Sequence, residues 1–331
     1  MTFVEACRAW ISTHGHLPVN VTVLFEGEEE SGSPSLVPFL KKAKAELKKD
    51  IALVCDTNMW DAATPAITTR LRGLLHEEIT ITCASKDLHS GLYGGAAANA
   101  IHVLTSIIAG LHDNNGKVTI RGFYEGVPVL SKAIRDQWNG LKFSQTKFLA
   151  EVGLKEPAGE KGKSVLEQIW ARPTAEVNGI YGGYIEEGSK TVIPAQASAK
   201  ITFRLVGRQN PAKIQKAFRK HVRDRLPKGC KVSFHSEGSS SPAVEISEDN
   251  KYLKQAAAAL NSEFGRPAVL MGCGGSIPVV GDFRRILGMD SLLIGFGLND
   301  DAIHSPNEKY NVSSFRHGIR SWARVLHQLA G

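Results

Sequence analysis

The sequence predicts an α/β protein in which helices flank a mostly parallel sheet and an α+β sandwich is inserted into that sheet domain. Three observations predict it. Unbroken apolar runs of strand length alternate with helical patterns at both ends of the chain, and the middle third contains strands with alternating apolar and polar residues. A Gly/Ser/Pro-rich run at 238–242 indicates the linker from the inserted domain back to the sheet domain. We therefore expect a discontinuous domain at 1–76 and 241–331 and an inserted domain at 77–240.

The composition excludes several classes of protein. An apolar fraction of 42% and a charged fraction of 22% are ordinary for globular proteins. The sequence has no apolar stretch of membrane-spanning length and no signal peptide, which predicts a cytoplasmic protein without a membrane partner. Five cysteines without a C-x-x-C pair indicate free thiols. The net charge of +7 is densest at 41–49, where no aromatic residue accompanies the lysines, so no nucleic-acid partner is expected.

The amino-terminal part predicts a strand that ends in a cluster of carboxylates. After an amphipathic helix over Phe3–Thr13, the apolar run Val21–Phe25 has the pattern of a strand buried on both faces. The acidic turn Glu28–Glu30 follows, and Ser33 and Pro34 predict the N-cap and first position of a Lys-rich helix. Open α/β sheets bind ligands at the carboxyl ends of their strands. The alternative is a solvated acidic turn.

Two further candidate ligands follow apolar strands. Asp56 comes directly after the apolar run Ile51–Cys55, and His304 lies in a loop after the run Leu292–Phe296. Because the carboxyl ends of parallel strands meet at one edge of a sheet, these side chains are expected on the same edge as the acidic turn. The alternatives are a turn or helix cap for Asp56 and a turn cap for His304.

The middle third carries one His in a glycine-rich loop. His89 lies within 86–95, and although a lone His is usually structural, the flanking glycines leave its backbone open to close approach. Around it the patterns predict strands at 66–72, 78–83, 117–120, 197–206 (an edge-type strand with Arg204) and 231–235, helices at 96–111 and 211–226, and an insertion with exposed helices at 125–169.

The final third returns to long helices. Helices are expected at 252–264 and 312–329. Between them, Gly272–Pro278 is a glycine loop ahead of a helix, an arrangement that offers backbone N–H groups to an anion.

With these residues in view, the chain resembles the dinuclear zinc metallopeptidases that include carnosinase, cytosolic non-specific dipeptidase, aminoacylase and carboxypeptidase G, and most of all the carnosinase-type dipeptidases. The resemblance runs over nearly the whole chain in the order of the family's motifs. These are Glu-Gly-x-Glu-Glu-x-Gly-Ser, Asp-Leu-His-Ser-Gly-x-x-Gly-Gly, Lys-Thr-Val-Ile-Pro, Gly-Gly-Ser-Ile-Pro-Val and His-Ser-Pro-Asn-Glu.

The resemblance implies roles for the matching positions. Glu29 would be the general base for a metal-bridging water, Glu30 and His304 two ligands of one metal, and Asp56 a ligand of the other. His89 would stabilise the oxyanion in the partner subunit's site, with Thr191 presented in the same way. The terminal carboxylate of the substrate would be held by Arg204, Ser276, Gly274 and Gly275. The implied cofactor is Zn²⁺, with Mn²⁺ or Co²⁺ as substitutes, the substrate a dipeptide or N-acyl amino acid, and the assembly a homodimer formed through the inserted lid domain.

The chain departs from the family's pattern ahead of the acidic turn. The family's His-x-Asp and Asp-Asp-Lys-Gly motifs, which supply two more ligands, have no counterpart here. The resemblance therefore implies an N-terminally truncated sheet domain without its first strands. Three explanations stay open, namely a fragment or mis-started reading frame, a remnant that binds or dimerises without catalysis, and a missing half supplied by another chain. The family commonly has Arg-Glu where Gly272-Cys273 stands, which leaves Cys273 as either a pocket thiol or a buried small residue.

Overall fold

The structure, a computed structural model, describes residues 1–236 and 240–331. The chain forms two compact units. Unit 1 comprises Met1–Leu71, Val244–Cys273 and Ile277–Gly331, and unit 2 comprises Arg72–Ala243 and Gly274–Ser276. The linker expected at 238–242 begins outside the described residues. No helix in the described ranges is both long enough and apolar enough to cross a membrane.

Unit 1 is a mixed sheet with helices, which confirms the α/β class. Its helices are α1 Thr2–His14, α2 Leu36–Lys42, α3 Lys44–Leu47, α10 Lys251–Phe264, α11 Pro278–Asp282 and α12 Val312–Leu329, and its strands β1 Ala52–Val54, β2 Ala66–Leu71, β9 Val244–Glu245, β10 Val269–Cys273 and β11 Ser291–Leu293. A 3₁₀ turn covers Glu29–Ser31 and a π-helical turn Phe283–Leu287. The strand order is β1-β11-β2-β10, with β9 also on β2. The pairs β1–β11 and β2–β10 are parallel, whereas β2 is antiparallel to β11 and β9.

The core of unit 1 lies between the sheet and helices α1, α10 and α12. Trp322 of α12 is completely buried there and packs edge-on against Phe3 and Phe296. Leu292 of β11 and Leu260 of α10 are also fully buried in this cluster. The apolar periodicity of all three helices is thereby explained, and their prediction is confirmed.

The strand predicted at Val21–Phe25 is absent, and this prediction is wrong. The segment forms no regular element, and Phe25 and Val23 have exposed fractions of 83% and 51%. An apolar run becomes a strand only beside a neighbouring strand, and within the described residues β1 pairs with β11 alone. The helix start is also displaced: Ser33 has a φ of 51°, and α2 begins at Leu36.

Unit 2 contains an antiparallel sheet with helices. Its strands are β3 Gly73–Thr82, β4 Leu88–His89, β5 Thr174–Gly182, β6 Val192–Ile193, β7 Gln196–Leu205 and β8 Lys231–His235, and its helices α4 Ser90–Tyr93, α5 Ala100–Ala109, α6 Lys132–Gly140, α7 Gln145–Ala150, α8 Val165–Trp170 and α9 Pro211–Arg223. The larger sheet has the order β5-β7-β3-β8, and β4 pairs with β6 separately. The strand that carries Arg204 is therefore interior and not an edge, because β5 covers its other side. No strand forms at 117–120, where Val118 makes one isolated bridge to His112.

The core of unit 2 packs α5 and α9 against this sheet. Phe203 of β7 is fully buried and contacts Phe218 of α9 edge-on, with ring centroids 5.1 Å apart. Ile79 of β3 and Leu104 of α5 are also completely buried in this cluster. β3 alternates buried and partly buried residues along its whole length, as the period of a strand with one apolar face requires.

A disulfide joins Cys83 to Cys230, so the prediction of free thiols is wrong for this pair. Thr82 of β3 lies opposite Lys231 of β8, and the next pair outward is the two cysteines, with their Cα atoms 4.3 Å apart. Their separation of 147 positions gave no sign of this contact in the sequence. Among the described residues, Cys7, Cys55 and Cys273 take no part in a disulfide, and Cys273 is half-buried against the apolar cluster around Leu71, which favours its interpretation as a buried small residue.

We expect the Cys83→Ser variant to lower the free energy of unfolding of unit 2 by about 2–4 kcal/mol, because the disulfide restricts a long loop in the unfolded chain. Guanidinium unfolding with and without dithiothreitol measures this. Reduction should destabilise the wild type and the Cys7→Ser control, but it should not affect Cys83→Ser. An equal response of all three proteins to reduction would contradict the disulfide.

Candidate active site

Glu30 and His304 meet at the surface of unit 1. His304 Nε2 lies 3.0 Å from Glu30 Oε1, although the two residues are 274 positions apart. Both side chains are largely open to solvent, with exposed fractions of 71% for His304 and 74% for Glu30. The exposed Glu29 precedes Glu30 in the same 3₁₀ turn. The structure thus unites two predicted metal ligands beside the predicted base.

Glu28 holds the acidic turn in place. Its carbonyl oxygen accepts hydrogen bonds from the backbone N–H groups of Ser31 and Ser33, each at 2.9 Å. Its carboxylate accepts bonds from the backbone N–H and the hydroxyl of Ser35, the residue ahead of α2. The first of the three consecutive carboxylates is therefore structural, and the turn that it stabilises displays Glu29 and Glu30.

Asp301 anchors the loop that carries His304. The Asp301 carboxylate has an exposed fraction of 2% and accepts hydrogen bonds from the Leu298 backbone N–H and the Lys309 ammonium, both at 2.8 Å. Between these anchors, His304 has a φ of 60°, and Ala302 and Asn307 also adopt left-handed backbone conformations. Such conformations are costly for residues with a side chain and cluster at functional sites. No sequence motif had indicated a role for Asp301.

We expect the Asp301→Asn variant to be about 1–3 kcal/mol less stable at pH 7, because it leaves a buried hydrogen-bond network incomplete. Burial alone would raise the pKa of Asp301, but the Lys309 ammonium and the Leu298 N–H outweigh it and hold that pKa below its usual value. A carboxylate with a lowered pKa stabilises the fold fully above its unfolded pKa, about 3.9, and this contribution is lost as the pH falls through the folded value.

Urea unfolding between pH 3 and pH 7 measures this effect. The wild type should lose stability below about pH 4, and Asp301→Asn should lose less over the same range. Asp300→Asn is the matched control, because Asp300 also contacts Lys309, at 3.1 Å, but is 74% exposed. Identical pH profiles for Asp301→Asn and the wild type would contradict the role of Asp301.

Asp56 lies at the carboxyl end of β1 and is exposed. The residues after Asp56 lie beside the segment that follows β11, where the Met59 backbone N–H donates a hydrogen bond to the Gly297 carbonyl oxygen. Only glycine fits at position 295, because a Cβ there would lie 1.8 Å from the Thr57 carbonyl oxygen. Across residues 1–236 and 240–331, however, no group of three or more His, Cys, Asp or Glu side chains could hold a metal ion. Zinc sites normally use three or four protein ligands. The described residues therefore fit a metal-binding pair and not a complete dinuclear zinc site.

His89 presents an N–H group at the surface of unit 2. It is the last residue of β4, and its Nδ1 accepts the backbone N–H of Gly91 at 3.0 Å. In the neutral ring the proton then lies on Nε2, which is 3.4 Å from the Thr191 hydroxyl. A Cβ at position 91 would lie 3.0 Å from the His89 ring, so a larger residue there would require the ring to shift.

Arg204, Ser276 and the two glycines form a second group in unit 2. An Arg204 Nη1 donates to the Ser276 hydroxyl at 3.2 Å, and that hydroxyl donates to the Arg72 carbonyl oxygen. Arg72 fixes the same loop, since its Nε donates a hydrogen bond to the Gly274 carbonyl oxygen at 2.8 Å and its backbone N–H donates one to the Gly275 carbonyl oxygen. Sequence patterns missed Arg72 because its contacts lie 202 positions away. The remaining guanidinium N–H groups of Arg204 suit a carboxylate.

Comparison with known proteins agrees with this division into units. Residues 69–230 match the model of the peptidase dimerisation domain. Over 98% of its length, this chain is 30% identical to the Cys-Gly metallodipeptidase DUG1 of Saccharomyces cerevisiae, of which it covers 69%. It is 27% identical to the human Beta-Ala-His dipeptidase, covering 66% of that protein. Among solved structures, the M20 family metallo-carboxypeptidase Sso-CP2 from Sulfolobus solfataricus superimposes with a TM-score of 0.80 at 28% identity, over 99% of this chain and 74% of the other.

The fold and these relatives define the chain as a metallopeptidase with a dimerisation domain. It belongs to the M20 peptidase family, which confirms the resemblance in the motifs. The chain spans about two thirds of the length of the curated relatives it matches. The alignments run over 98% or more of this chain.

Proposed function

We propose that the protein hydrolyses the amide bond of a dipeptide or a related N-acyl amino acid with the help of a bound metal ion. The observation that carries this proposal is the exposed Glu30–His304 pair beside Glu29. The relatives support the substrate class, because one is named a Cys-Gly metallodipeptidase and another a Beta-Ala-His dipeptidase.

The proposed metal is Zn²⁺, with Mn²⁺ or Co²⁺ as substitutes, since a carboxylate and an imidazole suit these ions. Glu30 and His304 would be two ligands, and Asp56 would belong to a second site. A pair of protein ligands binds metal more weakly than the usual three or four. We therefore expect activity of this chain to require metal in excess.

Each of the other candidate residues has a proposed role in the reaction. Glu29, open to solvent and next to the pair, would take a proton from the attacking water. His89 would donate its Nε2 proton to the developing oxyanion, with Thr191 beside it. Arg204, Ser276 and the Gly274–Gly275 backbone would bind the terminal carboxylate of the substrate.

Unit 2 is the proposed dimerisation domain of a homodimer. Residues 69–230 match a dimerisation domain, and β5 lies at the outer edge of its sheet. An outer strand can pair with a second chain. A cytoplasmic location stays a prediction, and the Cys83–Cys230 disulfide is the feature that weighs against it.

Release of free amino acids from Cys-Gly, β-Ala-His and an N-acetyl amino acid tests the proposal. The assay uses the purified chain with excess Zn²⁺, Mn²⁺ or Co²⁺, with a chelator as the control. We expect hydrolysis of at least one of the three substrates, which the chelator abolishes. Hydrolysis that persists unchanged in the chelator would exclude the metal.

A catalytically inactive remnant that binds or dimerises is the second candidate. It is favoured by the finding that no group of three potential ligands occurs within the described part of the chain. This candidate predicts a folded dimer without hydrolysis at any metal concentration. Sedimentation and the hydrolysis assay, performed on one preparation, separate the two candidates.

A further inference from the structure

Unit 2 contains a cavity of about 380 Å³ that shares no residue with the candidate active site. Its volume lies within the range of small-molecule sites, ~300–1,000 Å³. The apolar part of the lining is the segment 127–130 together with Tyr124. The charged part consists of Lys117, Arg135, Lys163 and Arg172, with Glu167 as the carboxylate.

Two of the four cations already have partners. Arg172 donates to the buried Glu160 through Nε at 3.1 Å and Nη2 at 2.8 Å. Lys163 lies 3.4 Å from Glu167, whose carboxylate also accepts the backbone N–H of Ser164 in a capping box. The cavity therefore contains two neutralised cations before Lys117 and Arg135 are counted.

Lys117 and Arg135 have no such partner. In the part of the chain that the structure describes, neither side chain forms an ion pair, and both are exposed. Glu160 and Glu167 pair with two of the four cations, so Lys117 and Arg135 are, among the described residues, the two cations without an ion pair in a lining that also contains an apolar segment. Cations that share a partly enclosed space repel one another, and an anion between them removes this repulsion.

The walls of the cavity are held in place before any ligand arrives. The Asp113 carboxylate accepts the backbone N–H groups of Asn115 and Lys117 at 2.8 and 3.0 Å, which fixes the turn that carries Lys117. The Arg172 guanidinium lies over the Tyr124 ring, 5.2 Å from its centroid. Trp138 of α6 packs edge-on against Trp170 of α8, and these two helices carry Arg135 and Glu167. A preorganised site loses less entropy on binding.

We propose that this cavity binds a small organic anion, in which a carboxylate or phosphate is attached to a compact apolar group. The anionic group lies between Lys117 and Arg135, and the apolar group lies against the segment 127–130 and Tyr124. Arginine and lysine are the usual protein partners of both anions. This assignment does not depend on the proposed peptidase activity.

Calorimetric titration of the purified chain tests the site with three probes, namely phenylphosphate, phenylacetate and the neutral phenylacetamide. We expect one saturable site per chain for at least one anion, and binding of the amide to be at least tenfold weaker. The ratio of the two anion affinities shows whether phosphate or carboxylate is preferred. Higher ionic strength should weaken anion binding, because the attraction is between partly exposed charges.

The double variant Lys117→Gln/Arg135→Gln should weaken binding of the preferred anion at least tenfold. Both side chains are exposed, so circular dichroism should show an unchanged fold. Lys132→Gln is the matched control, because Lys132 lies on the same helix but is paired with Asp136 and is outside the cavity lining. The proposal is overturned if neither anion saturates a site, if the amide binds as tightly, or if the double variant binds like the control.

Discussion

The Glu29→Gln variant is expected to lose dipeptide hydrolysis by about 10²–10⁴-fold, the usual contribution of a general base. Glutamine preserves the shape of the side chain but cannot accept a proton. Glu29 is exposed, and the turn that displays it is held by Glu28 and not by the Glu29 carboxylate. The loss should therefore appear in kcat, measured from initial rates at saturating metal, with the thermal stability unchanged.

Glu46→Gln is the control for this measurement. Glu46 is an exposed carboxylate on α3, close in sequence, and it takes no part in the proposed site. Its variant should have the wild-type rate. If Glu29→Gln also hydrolyses the dipeptide at the wild-type rate, Glu29 is not the base, and another group on unit 1 must accept the proton.

A Glu77→Leu substitution should cost about 3–5 kcal/mol of stability, the usual effect of removing one partner from a buried ion pair. Glu77 has an exposed fraction of 2%. Its carboxylate accepts two hydrogen bonds from the Arg219 guanidinium, at 2.8 and 2.9 Å, and others from Gln215 and Ser236. Leucine leaves Arg219 without its carboxylate and removes the hydrogen-bonded connection between β3 and α9, while the apolar contacts of α9 with the sheet remain.

Glu78→Leu provides the comparison for this variant. Glu78 is the next residue of β3 and forms an ion pair with Lys200, whose side chain is 47% exposed. Exposed pairs of this kind contribute about 0–1 kcal/mol. Chemical denaturation of both variants should thus give a large loss for Glu77→Leu and a small one for Glu78→Leu. Equal losses would mean that the buried network does not hold α9 on the sheet.

The sequence predicted the elements whose structure is determined locally. Helix α1 was expected at 3–13 and lies at Thr2–His14, because its apolar period and the glycine after it are local signals. Val21–Phe25 has an equally clear strand pattern, yet it forms none, because a strand also needs a neighbour. The interior position of β7 also depends on its neighbours β3 and β5, so it could not be predicted from the sequence of β7 itself.

The sequence indicated that two of the candidate site residues lie close together, because each of them stands out in a motif. Glu30 and His304 were both expected at one edge of the sheet, and they are in contact. Arg72 and Asp301 were missed, since their importance comes from hydrogen bonds to distant backbone atoms and not from any local pattern. The Cys83–Cys230 contact likewise depends on the register of β3 with β8.

The most direct test is the metal dependence of dipeptide hydrolysis, measured for the wild-type chain and for His304→Ala in parallel. If the Glu30–His304 pair carries the activity, the wild-type rate rises with added Zn²⁺ or Mn²⁺, and the variant shows no hydrolysis or needs far more metal. A folded wild-type chain without hydrolysis at any metal concentration would contradict the proposed function. A His304→Ala rate equal to that of the wild type would contradict the proposed site.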